Sequence, residues 1–226
     1  MPMINASFDI NRRYGEKLIL DSVKSRTWAF ASPWTASHIF FGSNMLRLLE
    51  NISDKHPAID PRVFIQAGVA AMTRHGSLPR ERYSILLKNV PLGERTDVIS
   101  LDCQSNDVLS RHDAFCRTLQ DPVITEFAAI ALALLYVTDY TDLQCVEVTQ
   151  RGERADYWLG RSPGRKEKLL EVSGIDNGSK QELAEREREK ITQVRKNDFC
   201  RKEFFVAVCE FCNGHSIFSR NERGRA

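Results

Sequence analysis

The chain reads as an α/β protein. A C-terminal core of helix, three-strand meander, helix and strand occupies residues 121–226, behind an N-terminal mixed α/β module over residues 1–120. Three features of the second half predict this. Residues 123–136 form a nearly unbroken apolar run of helical length, opened by Asp121-Pro122. Residues 143–173 break into short apolar segments separated by turn residues, as strands of a meander do. Ser179 and Glu182 then stand at capping-box spacing ahead of a polar helix, and an apolar run follows at 203–211.

In chain order, the first 120 residues carry the weaker signals. Residues 18–20 and 27–30 read as short strands closed by Ser32-Pro33, with Trp28 and Trp34 as core residues beside that turn. Residues 37–51 read as a helix with Ile39, Phe40, Met45, Leu46, Leu48 and Leu49 as its apolar stripe. Asp60 and Pro61 open a second helix that Gly76 can stop. Residues 83–90 and 97–101 read as strands, and 107–119 as helical. In the second half, residues 143–149 alternate around Val146 and Val148, Arg151-Gly152 makes a turn, and 154–159 return as a strand. Ser162-Pro163-Gly164 opens a basic loop, 169–173 form a third strand, and a helix runs from Ser179 to about Lys196. Residues 203–211 are apolar on both faces, which suits a strand buried in the sheet.

Composition bounds the function classes. The 226 residues are 42% hydrophobic and 27% charged, ordinary for a globular chain with a core. A net charge of +2 is too small to argue by itself for nucleic acid. Six scattered cysteines do not outline a disulfide framework. The N-terminal stretch lacks the apolar core of a signal peptide, and the longest apolar run, 127–137, is short of the roughly twenty residues that span a bilayer. The expectation is a cytoplasmic protein with reduced thiols and no membrane association.

The chemistry sits on the meander. Alternate residues of a strand share a face, so Leu169, Glu171 and Ser173 point one way, while Arg154, Asp156 and Trp158 share a face of the preceding strand. On neighbouring strands, Asp156 and Glu171 can meet on one surface. Two such carboxylates repel each other unless protonated or bridged by a cation. Mg2+ suits them, since it takes oxygen ligands and keeps waters able to attack a phosphodiester. Against this stands the plainer reading of two solvated carboxylates paired with nearby Arg or Lys.

With its element order, the region over residues 121–218 resembles the PD-(D/E)XK nuclease superfamily, the restriction-endonuclease-like fold. The resemblance implies that Glu126 is the acidic residue of the first helix, and that Asp156 and Glu171 are the two metal-binding carboxylates. It also implies Mg2+ (or Mn2+) as cofactor and DNA or RNA as partner. Such domains serve in restriction, repair and mobile-element or phage defence.

This chain departs from the pattern at Ser173, where the family has a lysine that positions the attacking water and stabilises developing charge. A hydroxyl supplies no positive charge. Some members bring the lysine from the following helix. At 100° per residue from Leu183, the apolar positions Leu183, Ala184, Ile191 and Val194 fall within about a 100° arc. Lys180 and Glu187 lie near its middle, and Lys190 just outside its edge. Lys180 is therefore the first choice for a relocated lysine and Lys190 the second, although both stems can instead lie along apolar surface with their amines in water. Gln193 is similar to a helix glutamine of some nucleases of this fold, but falls on the far side of the wheel. If Ser173 abolishes catalysis, the alternative is an inactive nuclease fold acting as a binding or assembly subunit, with a protein partner on residues 1–120.

Cys209, Cys212 and His215, with Cys200 as a fourth ligand, form a zinc pattern weakened by the placement of Cys209 in a buried strand; buried free thiols are the competing reading. Arg161, Arg165, Lys166 and Lys168, and the tail residues Arg220, Arg223 and Arg225, can touch phosphates or stand as solvated loops.

Overall fold

The computed structural model describes residues 45–75, 83–90, 93–103, 106–196 and 203–222. The strands expected at 18–20 and 27–30, with Trp28 and Trp34, lie outside them, as do Cys200, Arg223 and Arg225. The chain divides into units of residues 1–39 and 40–226, and the second is the one described.

Within it the elements run β1 (Met45–Leu48), α1 (Asn51–Lys55), α2 (Arg62–Arg74), β2 (Tyr83–Lys88), β3 (Arg95–Asp102), α3 (Asn106–Ser110), α4 (His112–Thr118) and α5 (Asp121–Tyr140). They continue β4 (Gln144–Val148), β5 (Tyr157–Gly160), β6 (Lys168–Ile175), α6 (Lys180–Arg195), β7 (Glu203–Glu210) and β8 (His215–Glu222). The fold is mixed α/β. Its eight described strands make one mixed sheet in the order β1-β3-β2-β8-β7-β6-β5-β4.

This order corrects the division expected at residue 120. β2 pairs in parallel with β8, from Ser84 against His215 to Lys88 against Ser219, so the two halves share one sheet. α2 also packs along α5 in one apolar cluster. The parallel pairing joins distant segments with no local signal, and sequence patterning therefore overlooked it. A second correction concerns residues 45–48, expected as helix. They form β1, which pairs in parallel with β3 at the sheet edge. A short apolar run such as MLRLL fits a strand or a buried helix turn, and here its pairing partner decides.

The layers follow from where the apolar side chains point. On one face, Leu170, Val172, Phe205, Ala207, Cys209 and Phe218 pack with α5 and α2. α5 has the length and hydropathy of a membrane span, but 67% of that window is buried in the protein, as a central core helix requires. On the other face, Leu169, Phe204, Val206, Val208 and Ile217 pack against Leu183 and Val194 of α6. α6 is the crossover between the parallel strands β6 and β7. Its start is fixed as expected: Ser179 Oγ accepts the Glu182 N–H, and the Glu182 carboxylate accepts the Ser179 N–H.

Candidate active site

The β4–β5–β6 meander is antiparallel throughout, with Tyr157 opposite Leu170 and Trp158 opposite Leu169. Asp156 precedes Tyr157, and its carboxyl comes within electrostatic reach of Glu171. The strand expected over 154–159 begins only at Tyr157, and Asp156 lies in the bend just before it, its N–H donating to the Leu170 carbonyl at 3.0 Å and its own carbonyl accepting the Thr149 N–H. Because Leu170 and Val172 face α5, Glu171 and Ser173 face α6. Glu171 is 1% exposed and Ser173 is buried beside it.

α6 brings the partners. Lys190 Nζ donates to Glu171 Oε1 at 2.6 Å, and Gln193 Nε2 donates to the same oxygen at 3.0 Å. The Gln193 amide also reaches the Arg154 carbonyl at 3.4 Å. Asp156 Oδ2 accepts the Val172 N–H at 2.7 Å, which fixes that carboxylate against β6.

The placement reverses the sequence order of the two lysines. Lys180 is exposed at the head of α6, and among the described residues no hydrogen bond or ion pair joins it to either carboxylate. Chain geometry explains this. Glu171 lies four residues before the end of β6, about 13 Å back along the strand. The helix returns at about 1.5 Å per residue, so some nine residues are needed to regain that level, near Lys190 and not Lys180. Gln193 follows one turn later. The carboxylates sit along one margin of the helix's buried arc instead of under its middle, which is why the wheel placed Gln193 away from them. Strand rise against helix rise was the available signal.

Glu126 enters from α5. Its Oε2 accepts the Gly174 N–H at 3.1 Å. Gly174 is needed for this approach, because a Cβ there would lie 2.4 Å from the Thr125 carbonyl oxygen. Only a glycine lets α5 run this close to β6.

The electrostatics set these acids apart. The Glu171 carboxyl is pushed up to about 7, first by burial and then by repulsion from Asp156, with Lys190 and Gln193 opposing. Asp156 is also raised by burial, against the pull of the Val172 N–H and Lys190. Glu126 is raised by desolvation and, more weakly, by Asp156, while the Gly174 N–H, Lys190 and Arg186 act against it. Both Asp156 and Lys190 are thus within electrostatic reach of Glu126.

A divalent ion fits the donor set. Glu171 Oε2 is buried and has no hydrogen-bond partner, an arrangement that costs free energy unless a cation or proton meets it. Asp156 beside it offers a second hard oxygen ligand, and a cation there would favour the ionised form of both acids. Among the described residues no group of three or more His, Cys, Asp or Glu side chains comes close enough to hold a metal, so Glu126 stands apart from the pair.

The same finding removes the zinc pattern as far as described residues reach. Cys209 is buried facing α5 and Cys212 lies in the turn after β7. His215 instead opens β8, a strand that sequence reading missed; Asn213-Gly214, with Gly214 at φ 68, is the hairpin signal that marks it. The basic loop is matched by acids: Arg161 pairs with Asp142 and Glu167, Arg165 with Glu167, Lys166 with Glu147, and both Lys168 and Arg220 with Glu203.

Comparisons with family models, curated proteins and solved structures give no match for this chain.

Proposed function

We propose that the protein is a metal-dependent nuclease of the restriction-endonuclease-like type, hydrolysing phosphodiester bonds of DNA or RNA. One observation carries the reading. A buried glutamate has one oxygen clamped by a lysine and a glutamine, while its other oxygen is unmatched beside a second carboxylate. The order α5, antiparallel β4–β5–β6, α6 and parallel β7 supports it, since that fold is built on helix, meander, helix and strand.

Asp156 and Glu171 would hold Mg2+ or Mn2+, which supplies Lewis acidity and a more acidic bound water. The chain's own residues divide the remaining work. Lys190 brings to the site the positive charge that Ser173 cannot supply, and it stands within hydrogen-bond reach of Glu171 to stabilise charge developing on a phosphoryl oxygen. Gln193 fixes the rotamer of Glu171 and ties it to the Arg154 backbone. Glu126, with its raised carboxyl anchored at Gly174, can hold a proton near the site or pass it on.

A second reading, an inactive nuclease fold serving as a binding or assembly subunit, draws on Ser173 and on the pairing of only two close carboxylates. One assay separates the two. The protein is incubated with single- and double-stranded DNA and RNA plus Mg2+ or Mn2+, beside Asp156→Ala, Glu171→Ala, Lys190→Ala and Lys180→Ala. The enzyme reading expects Mg2+- or Mn2+-dependent cleavage that the first three variants lose, by about a hundredfold or more, and that Lys180→Ala keeps. Equal activity in wild type and Asp156→Ala marks a contaminant and leaves the binding subunit standing.

A further inference from the structure

The cations between β5 and β6 are matched by carboxylates, but a second set beside the site is matched only weakly. Arg154, in the turn before β5, is exposed and pairs with no carboxylate among the described residues. The same holds for Lys196, the C-cap of α6. Arg188 is exposed, and its one ion pair among the described residues, with Glu185, is stretched to 4.0 Å. These three line an open cleft of about 640 Å3 together with Gln193. Two acids share the lining; Glu185 is the stretched partner of Arg188, and Glu189 is engaged by Arg186 at 3.4 Å. The cleft is net positive.

Its connection to the carboxylates is direct. Gln193 donates from one amide nitrogen to Glu171 Oε1 and to the Arg154 carbonyl, so the residue that orients the acid also holds the arginine's backbone. That backbone has φ 52, in the left-handed region, which a residue with a Cβ enters at a cost and where a glycine would relax. A disfavoured conformation held at an exposed arginine, two residues before Asp156, fits a position kept for its side chain.

We infer that this cleft is a phosphate-backbone subsite, in which Arg154, Arg188 and Lys196 contact phosphates of the strand flanking the scissile bond. It deepens the nuclease reading and rests on it for the word scissile, but it predicts binding independently of cleavage. It assigns the strand's path to the C-terminal half of α6 and the β4–β5 turn, in place of the basic loop between β5 and β6. The recognised chemistry is the phosphodiester backbone, and single-stranded DNA, single-stranded RNA and duplex DNA are its possible sources.

The test is fluorescence anisotropy of labelled single-stranded DNA, single-stranded RNA and duplex DNA with the full-length chain in EDTA, across a salt series. Three phosphate contacts give a slope of log K against log salt of about −2 for single strands, or roughly −3 for duplex. Arg154→Gly, Arg188→Ala and Lys196→Ala should each reduce that slope by about one unit or slightly less, equally for all sequences. The triple variant should lose at least about tenfold in affinity at low salt. Arg154→Lys should restore its share, whereas Arg165→Ala in the paired loop should change little. Unchanged binding by the triple variant, an equal loss from Arg165→Ala, or no nucleic-acid binding by the wild type overturns the subsite. Cleavage that depends on Asp156 with unchanged binding by the triple variant removes the subsite alone. Binding lost in the triple variant of a protein that cleaves nothing removes catalysis alone.

Discussion

The two faces of the sheet follow different rules. Toward α5 the sheet presents aliphatic and aromatic side chains, and the polar groups admitted there are matched. Tyr136 donates its hydroxyl to Ser216 at 2.9 Å, and the His56 ring accepts the Cys145 N–H at 2.8 Å and lies 3.0 Å from the Leu134 carbonyl. Toward α6 the sheet buries Glu171 and Ser173, with Ser219 and Asn221 two strands away, while α6 itself turns Glu187 inward to meet Lys88 of β2 at 2.5 Å. Burying an ion costs several kcal/mol unless it is well paired. The α5 face therefore carries stability, and the α6 face tolerates charge that stability alone does not call for. This difference sets the α6 face apart without any motif.

The contrast breaks most sharply on the α5 face. Phe205 stacks on Phe218 with ring centroids 5.4 Å apart, and Phe205→Ala should destabilise the protein by about 3–5 kcal/mol in urea unfolding. A loss below about 1 kcal/mol would mean that this face is not the load-carrying core. Gly174→Ala tests the junction of the two faces. The added methyl meets the Thr125 carbonyl, α5 must shift, and a loss of about 1–3 kcal/mol should accompany weaker cleavage through displacement of Glu126. Unchanged stability would show that the close approach is not obligatory.

On the α6 face the smaller effect is one of pH. The Glu171 carboxyl sits at about 7 in the folded chain against an ordinary 4.5, so the folded state holds its proton more tightly than the unfolded state. Its contribution is then most favourable below pH 4.5 and declines as pH rises to about 7. Asp156, raised as well, acts with the same sign. Glu171→Gln should gain stability relative to wild type as pH goes from 5 to 8 in metal-free buffer, measured by thermal unfolding at matched ionic strength. A difference that stays flat over that range would mean the carboxyl is not perturbed.

Much of this was legible in the sequence because its signals are local. The capping box of Ser179 and Glu182, the Pro122 start of α5 and the meander turns all reside within a few residues of what they specify. That Asp156 comes within electrostatic reach of Glu171 is likewise a matter of neighbouring antiparallel segments joined by a short loop. What failed depends on distance. The parallel β2–β8 pairing hid the union of the two halves, and β1 was misread because only its partner β3 makes it a strand. A helical wheel records angle but not height, and Lys190 was ranked behind Lys180 for that reason. The basic loop looked free because three of its acids, Asp142, Glu147 and Glu203, come from other elements, and only Glu167 is local.

The central claim is that Asp156 and Glu171 share a divalent ion, and calorimetric titration of Mn2+ into the protein near pH 6.5, in two buffers of different ionisation enthalpy, tests it most directly. The account predicts uptake with measurable proton release, because a carboxyl titrating at about 7 must ionise to become a ligand, and loss of both in Asp156→Asn and Glu171→Gln. Uptake that survives both substitutions, or no uptake by the wild type, would contradict it.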